Sequence, residues 1–437
     1  MSDPRARIIR GRILSFVGEP RLAGPRAMTV VEDGAVLIEN GRIAAVGEAA
    51  ATIAKAPAGA AVDDHAGKLV TAGFIDTHIH YPQTRVIASY GAQLLEWLQK
   101  YTFVEEQRLR DRGHAEVVAR FFLDELFRQG TTTAMVYCTV HPESVDAFFE
   151  EALKRGARMI AGKVMMDRNA PPGLMDDPRR GYDESKALIA RWRGRGRLDY
   201  AVTPRFAVTS SEAQLEAAGA LLRETPGAYM QTHLDENVAE IAFVKQQFPW
   251  AASYLAVYER YGLLGRRSVF GHCIHLERSE VAAMAASGSV AAFCPTSNLF
   301  LGSGLFDMKR LDENGVRISL ATDVGGGTSY SMLQTANEAY KVLQMGGQSW
   351  PAAQAFYQMT LGNARALGLE DRIGSIREGL EADIVVLDAR ATPAMAHRMD
   401  SVAGNLAEEL FILMMMGDDR AVRQTYVAGR PVKDAPA

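Results

Sequence analysis

Gly73-Phe74-Ile75-Asp76-Thr77-His78-Ile79-His80-Tyr81-Pro82-Gln83 is an apolar run that ends in two imidazoles spaced two apart. In a strand successive side chains alternate faces, so His78 and His80 project to one side and can grip one ion, while Ile79 turns into the wall behind them. A bare His-x-His pair is a weak motif, because two such histidines can equally be solvated or packed in a core. The pattern of the rest of the chain gives the pair its meaning.

From residue 69 onward, strand-like runs alternate with long helical stretches. Eight runs can be read: 69–78, 131–137, 159–166, 198–203, 229–233, 268–272, 290–293 and 317–322. Repeated βα units imply a parallel sheet, and eight of them most simply close into a TIM-like (β/α)8 barrel with its reactive residues at the C-terminal strand ends. Both ends of the chain read as β instead. Short runs at 36–38 and 42–46 lie beside turn signals at Asp33-Gly34 and Asn40-Gly41, and later runs occupy 382–388 and 424–427 before a turn at Gly429-Arg430-Pro431. The expected organisation is therefore α/β, with a hydrolase barrel over 69–372 and a small composite β-sandwich made of 1–68 and 373–437. A length of 437 residues suits a barrel of roughly 250 residues plus such a satellite.

Composition narrows the classes. A hydrophobic share of 48% and a charged share of 23% fit a globular protein that fills its core without disulfides. The net charge of -4 offers no concentrated basic face for nucleic acid or an anionic membrane. The arginine-rich stretch 191–197 reads as a solvated loop, and the apolar stretch 410–416 as a helix face or buried strand packed on the body. Cys138, Cys273 and Cys294 lie on apolar segments, which suits reduced thiols. With no signal-peptide core at Met1-Ser2-Asp3-Pro4-Arg5 and no run near the roughly 18 apolar residues of a membrane span, the expected location is the cytoplasm.

The strand ends supply a site. The fifth run ends in Gln231-Thr232-His233-Leu234-Asp235-Glu236, the sixth in Phe270-Gly271-His272 and the eighth in Ala321-Thr322-Asp323. Singly these are ambiguous: His233 could be a hydrogen-bonded core histidine, and Asp323 could cap a helix beside Gly325-Gly326-Gly327. Four groups at independently read strand ends are hard to obtain by accident. His78, His80, His233 and Asp323 are thus the expected ligands of one divalent metal, a set that suits a borderline ion with a position left open for water. His65, His114, His141, His275 and His397 do not share this placement.

Further motifs accompany the strand ends: Leu94-Leu95-Glu96-Trp97-Leu98 with Tyr101-Thr102-Phe103, Gly130-Thr131-Thr132-Thr133, Met166-Asp167-Arg168-Asn169-Ala170-Pro171, Cys294-Pro295-Thr296-Ser297-Asn298 and Gly379-Leu380-Glu381-Ala382-Asp383-Ile384. With them the chain resembles the metal-dependent amidohydrolases of the deaminase branch. The Tyr81-Pro82-Gln83 extension and the Leu-Leu-Glu-Trp-Leu block narrow the resemblance to the guanine deaminases. It implies hydrolysis of guanine at C2 to xanthine and ammonia, with Asp323 ligating the metal and accepting the water proton. It also implies a proton-shuttling Glu236, although by position alone that residue could be a helix-start carboxylate, and Asp235 is adjacent. His272 would hydrogen-bond the attacking hydroxide or act as a distant additional ligand. Gln83 and Arg205 would select the purine, with Phe206 lining the pocket; Arg205 has the alternative of a structural pair with an acid such as Asp199.

Two absences sharpen the expectation. Residues 198–211 contain no lysine to bridge a second metal, so one ion is expected, zinc by default with iron(II) accommodated by the same ligands. Lys163 reads as structural. The Pro-Cys-x-x-Cys motif of cytidine-deaminase-type enzymes is missing. The resemblance further implies a homodimer, and the long segment after His80 is a candidate lid. Alternatives are a cousin acting on another heterocycle, such as 8-oxoguanine or a triazine, and a noncatalytic scaffold.

Overall fold

The computed structural model describes residues 6–90, 93–402 and 404–433. Eight parallel strands follow one another around a barrel: Phe74–His80, Thr131–Tyr137, Arg158–Gly162, Asp199–Pro204, Tyr229–Leu234, Ser268–His272, Val290–Phe293 and Arg317–Leu320. Phe74–His80 and Thr131–Tyr137 are buried at every position, as parallel strands covered on both faces must be. The third run is interrupted at Lys163, beyond which Val164–Met165 pairs with the fourth strand. One apolar cluster takes Ile75, Met135, Ile160, Ala201, Tyr229 and Val269 from successive strands and packs them with Leu367 and Ile373.

The seam between the last strand and the first is closed by bonds outside the regular ladder. Near the C-terminal end, Asp323 N–H donates to His78 O (2.9 Å) and His80 N–H to Val324 O (2.8 Å). Lower down, the buried amide of Asn363 donates to Ile75 O (2.7 Å) and Leu320 O (2.8 Å) and accepts from Leu320 N–H (2.9 Å). The seam therefore brings Asp323 beside the two histidines of the first strand.

Both chain ends join in one seven-stranded sheet. The hairpin of Met28–Glu39 and Arg42–Glu48 turns at Asn40 (φ 51°) and Gly41 (φ 78°), the left-handed pair that the Asn-Gly signal predicts. Two sequence expectations need correction. Asp33-Gly34 is not a turn: it lies inside the strand Met28–Glu39, opposite a register shift in Ala6–Phe16 where a side chain on Gly34 would strike Ile13. Leu69 does not open the first barrel strand. Ala61–Ala72 belongs to the terminal sheet, where it pairs with Ala6–Phe16 and Ile384–Leu387, and the chain crosses to the barrel at Gly73. Apolarity alone could not separate these two consecutive strands.

The arginine-rich loop is also more than a solvated surface. Arg197 Nη1 donates to Glu381 (2.8 Å) and Asp383 (2.9 Å) of the terminal segment, and Arg158, at the start of the third barrel strand, meets the other side of the same Glu381. The stretch 410–416 lies in the helix Leu406–Met416, packed on the body. No helix among the described residues is long and apolar enough to cross a membrane.

Candidate metal centre and active site

The strand ends converge as the barrel requires. His78 Nε2 and His80 Nε2 each lie 3.3 Å from Asp323 Oδ1, and His80 Nε2 lies 3.3 Å from His233 Nε2. His272 Nε2 is 3.8 Å from Asp323 Oδ2 and 3.3 Å from Glu236 Oε2. His78, His233, His272 and Asp323 each offer one ligand atom, and these four atoms fall within 4.8 Å of one another. The register with the second strand shifts between Asp76 and Ile79, where His78 sits, and His78 then lies so close to the sixth strand that a Cβ on Gly271 would meet its ring at 2.4 Å.

Neighbouring groups fix the rings. His233 Nδ1 is 2.7 Å from the carbonyl oxygen of Arg205, so Nδ1–H is the donor and Nε2 faces the centre. His272 Nδ1 is held in the same way by Asn298 Oδ1 at 2.9 Å, and the ring of His80 stacks on Tyr137 at 4.3 Å. Both nitrogens of His78, Nδ1 of His80 and Nε2 of His272 are buried without a hydrogen-bond partner. Orphaned imidazole nitrogens around an aspartate are costly unless something joins them, and a divalent cation fits that donor set.

Electrostatics agree with this reading. Burial, reinforced by the surrounding imidazoles, drives His233 well below its usual range. Burial brings His80 down to about 3 in spite of Asp323. For Asp323 burial works upward, but the imidazoles of His78 and His80, 3.3 Å away, outweigh it and hold the carboxyl well below its usual value. Neutral imidazoles and an ionised carboxylate are the states that bind a cation. Glu236 differs: burial and then the charge of Asp323 push it up to about 8. Its Oε1 accepts from Ser303 Oγ at 3.1 Å.

A cavity opens on this cluster. His80, His233, Glu236, His272 and Asp323 line it together with Gln83, Arg205 and Phe206, so every expected site residue reaches it except His78, which sits fully buried behind. Leu94, Trp97 and Leu98 cover it from the segment after His80; Gly91 and Ala92 of that segment lie outside the described residues. Arg205 is not paired with Asp199, which bonds Arg193 instead. Its partner is Glu106, which bonds Gln83 as well.

Sequence reasoning missed Glu106, Ser303 and Asp76. Asp76 is buried and ties Thr322 to the backbone N–H of His78, with burial raising it to about 6. Asn298 stood in a quoted motif but without a role. Glu106 carried no signal, being one carboxylate among several on a helical stretch.

Residues 69–432 match the amidohydrolase family. A guanine deaminase of Escherichia coli is 50% identical over 406 residues, which cover 93% of this chain and 92% of that one. The solved E. coli guanine deaminase superposes with a TM-score of 0.95 at 48% identity, covering 97% of this chain and 99% of that one. A guanine deaminase from C. acetobutylicum, solved with guanine bound in its active site, superposes with a TM-score of 0.86 at 25% identity over 98% and 99% of the two chains. A barrel whose strand ends gather imidazoles around one aspartate, matched along nearly its whole length, places this chain in the amidohydrolase family.

Proposed function

We infer that the chain is a metal-dependent hydrolase that deaminates guanine at C2: a C2–O bond forms with water, the C2–N2 bond breaks, and xanthine and ammonia leave. The observation that carries the chemistry is the placing of Glu236 beside His272 and across from Asp323 in one cavity, and the guanine deaminases similar over nine-tenths of the chain support the substrate. His78, His80, His233 and Asp323 would hold the ion, with His272 on the side of the attacking water. When bound, a divalent ion supplies Lewis acidity that makes hydroxide available near neutral pH.

The remaining work falls to the chain. Asp323 accepts the proton of the attacking water, and His272, held by Asn298, orients that water toward C2. Glu236 delivers a proton to N3 as oxygen adds, then relays to the departing amine the proton that the new C2 hydroxyl sheds as it becomes a carbonyl; the proton taken up by Asp323 restores Glu236 before the next turnover. Arg205 donates to O6, Gln83 meets a ring edge that carries both donors and acceptors, and Phe206 packs on the purine. Adenine, with an amino group at C6, would present donors to a donor.

The imidazole-rich set favours zinc, and iron(II) suits it too. Three buried free thiols fit a reducing cytoplasm, and the family likeness speaks for a homodimer. Incubating the purified chain with guanine, 8-oxoguanine and adenine tests the reading: xanthine from guanine is expected, and turnover of adenine with none of guanine would overturn it.

A further inference from the structure

We propose that Glu106 sets the charge preference of the cavity, neutralising Arg205 so that the site accepts a neutral lactam and disfavours an anionic ring. The inference rests on the guanine reading above and extends it to how substrate is told from product.

Glu106 ends the helix Phe103–Glu106 and is 1% exposed. Arg205 Nη1 donates to both of its oxygens, at 3.0 and 2.8 Å, and neither side chain reaches solvent appreciably. Gln83 Nε2 donates to the same carboxylate at 3.0 Å, while Gly325 N–H donates to Gln83 Oε1 at 3.1 Å, so the amide cannot flip. The guanidinium also lies 5.3 Å from the ring of Phe103. Both substrate-facing donors are therefore anchored on one buried carboxylate. With Nη1 committed to Glu106, Nη2 and Nε are the donors left for a ligand, and they belong to an ion pair with no net charge.

A neutral carbonyl oxygen is well served by such a pair. An anionic ring gains no net attraction from it and feels the nearby carboxylate in a poorly screened interior. The reaction makes this distinction matter. Replacing the 2-amino group by a second oxo group yields a dioxopurine, which loses a ring proton more readily than guanine does. A charge-balanced Arg205 would thus hold the substrate and let the anionic product go.

The isosteric E106Q removes the charge and keeps the shape. In metal-loaded enzyme we expect kcat/KM for guanine to fall about tenfold to a hundredfold, since Arg205 and Gln83 lose their charged anchor. The decisive readout is inhibition by xanthine and by hypoxanthine at one mildly alkaline pH where the first is a monoanion and the second neutral. Asp323 and Glu236 also face the cavity, and their charge bears equally on wild type and variant. The ratio of the xanthine to the hypoxanthine inhibition constant should drop about tenfold in E106Q, because the uncovered Arg205 now attracts the anion. E106D keeps the charge but withdraws it by one methylene; it should lose guanine activity while leaving that ratio near wild type, and it tests the idea even if E106Q does not accumulate. An unchanged ratio in E106Q, or a drop in E106D as large as in E106Q, would overturn the assignment and leave Glu106 a merely structural partner. Wild type that makes no xanthine from guanine would instead overturn the functional reading itself.

Discussion

The two ends of one barrel hold buried charge in opposite ways. At the N-terminal end, Arg158 and Arg197 close on Glu381 and Asp383, which joins the terminal segment to the barrel through direct ion pairs. At the C-terminal mouth, imidazole nitrogens of His78, His80 and His272 have no partner, and Glu236 and Asp323 sit 3.3 and 3.8 Å from the same His272 nitrogen. The floor is a finished joint. The mouth is left incomplete by the chain alone, which is how a site that takes up an ion and a substrate differs from one that only holds the fold.

If the comparison is right, damage at the two ends separates into lost chemistry and lost stability. The largest effect is expected for D323N, which in the proposed reaction removes a metal ligand and the proton acceptor together: kcat should fall by about a thousandfold or more, with the metal content reduced and the unfolding midpoint of the metal-free protein little changed. E236Q comes next. It should lower kcat by roughly a hundredfold or more while metal stays bound, and the metal-free chain should keep or gain stability, because a carboxyl group that burial pushes upward is replaced by a neutral amide. Measuring metal content, kcat and chemical denaturation on the same preparations checks both.

At the floor the pattern should invert. E381A leaves Arg158 and part of Arg197 without a partner, and breaking a buried pair this way costs about 3–5 kcal/mol, with kcat/KM per folded molecule unchanged. A loss of activity without loss of stability in E381A would break the comparison. Acid sharpens it. Burial works to raise Glu381, but the hydrogen bonds and charges of Arg158 and Arg197 overcome it and hold the group below its ordinary value of 4.5. A depressed carboxyl stabilises the fold fully above 4.5 and loses that contribution as pH falls through its lower folded value. The stability gap between wild type and E381Q should therefore be constant near neutrality and narrow below about pH 4.5. The smallest effect belongs to the exposed pair of Arg390 and Asp400, where D400N should change stability by less than about 1 kcal/mol and activity not at all.

How much of this could be read from the sequence follows from the range of the signals. Strand ends are legible because short apolar runs between helical stretches stop at them, which places His78, His80, His233, His272 and Asp323 on one mouth. The Asn40-Gly41 turn was legible because only left-handed residues suit it. Local signals failed where a longer-range neighbour decided. Asp33-Gly34 looked like a turn, but its strand continues across a register shift. Leu69 looked like barrel, but its pairing partners lie in the terminal sheet. Arg197 looked solvated until Glu381 and Asp383 arrived from almost two hundred residues away. Glu106 was invisible for the same reason, since a helical carboxylate acquires meaning only when Gln83 and Arg205 are folded against it.

Titrating the metal-free chain with zinc while following xanthine formation from guanine asks whether one bound ion drives the reaction. No turnover is expected without metal, then a linear rise as zinc is added and saturation at one equivalent per chain. Turnover that is independent of zinc, or that saturates only at two equivalents, would contradict a reaction driven by one ion.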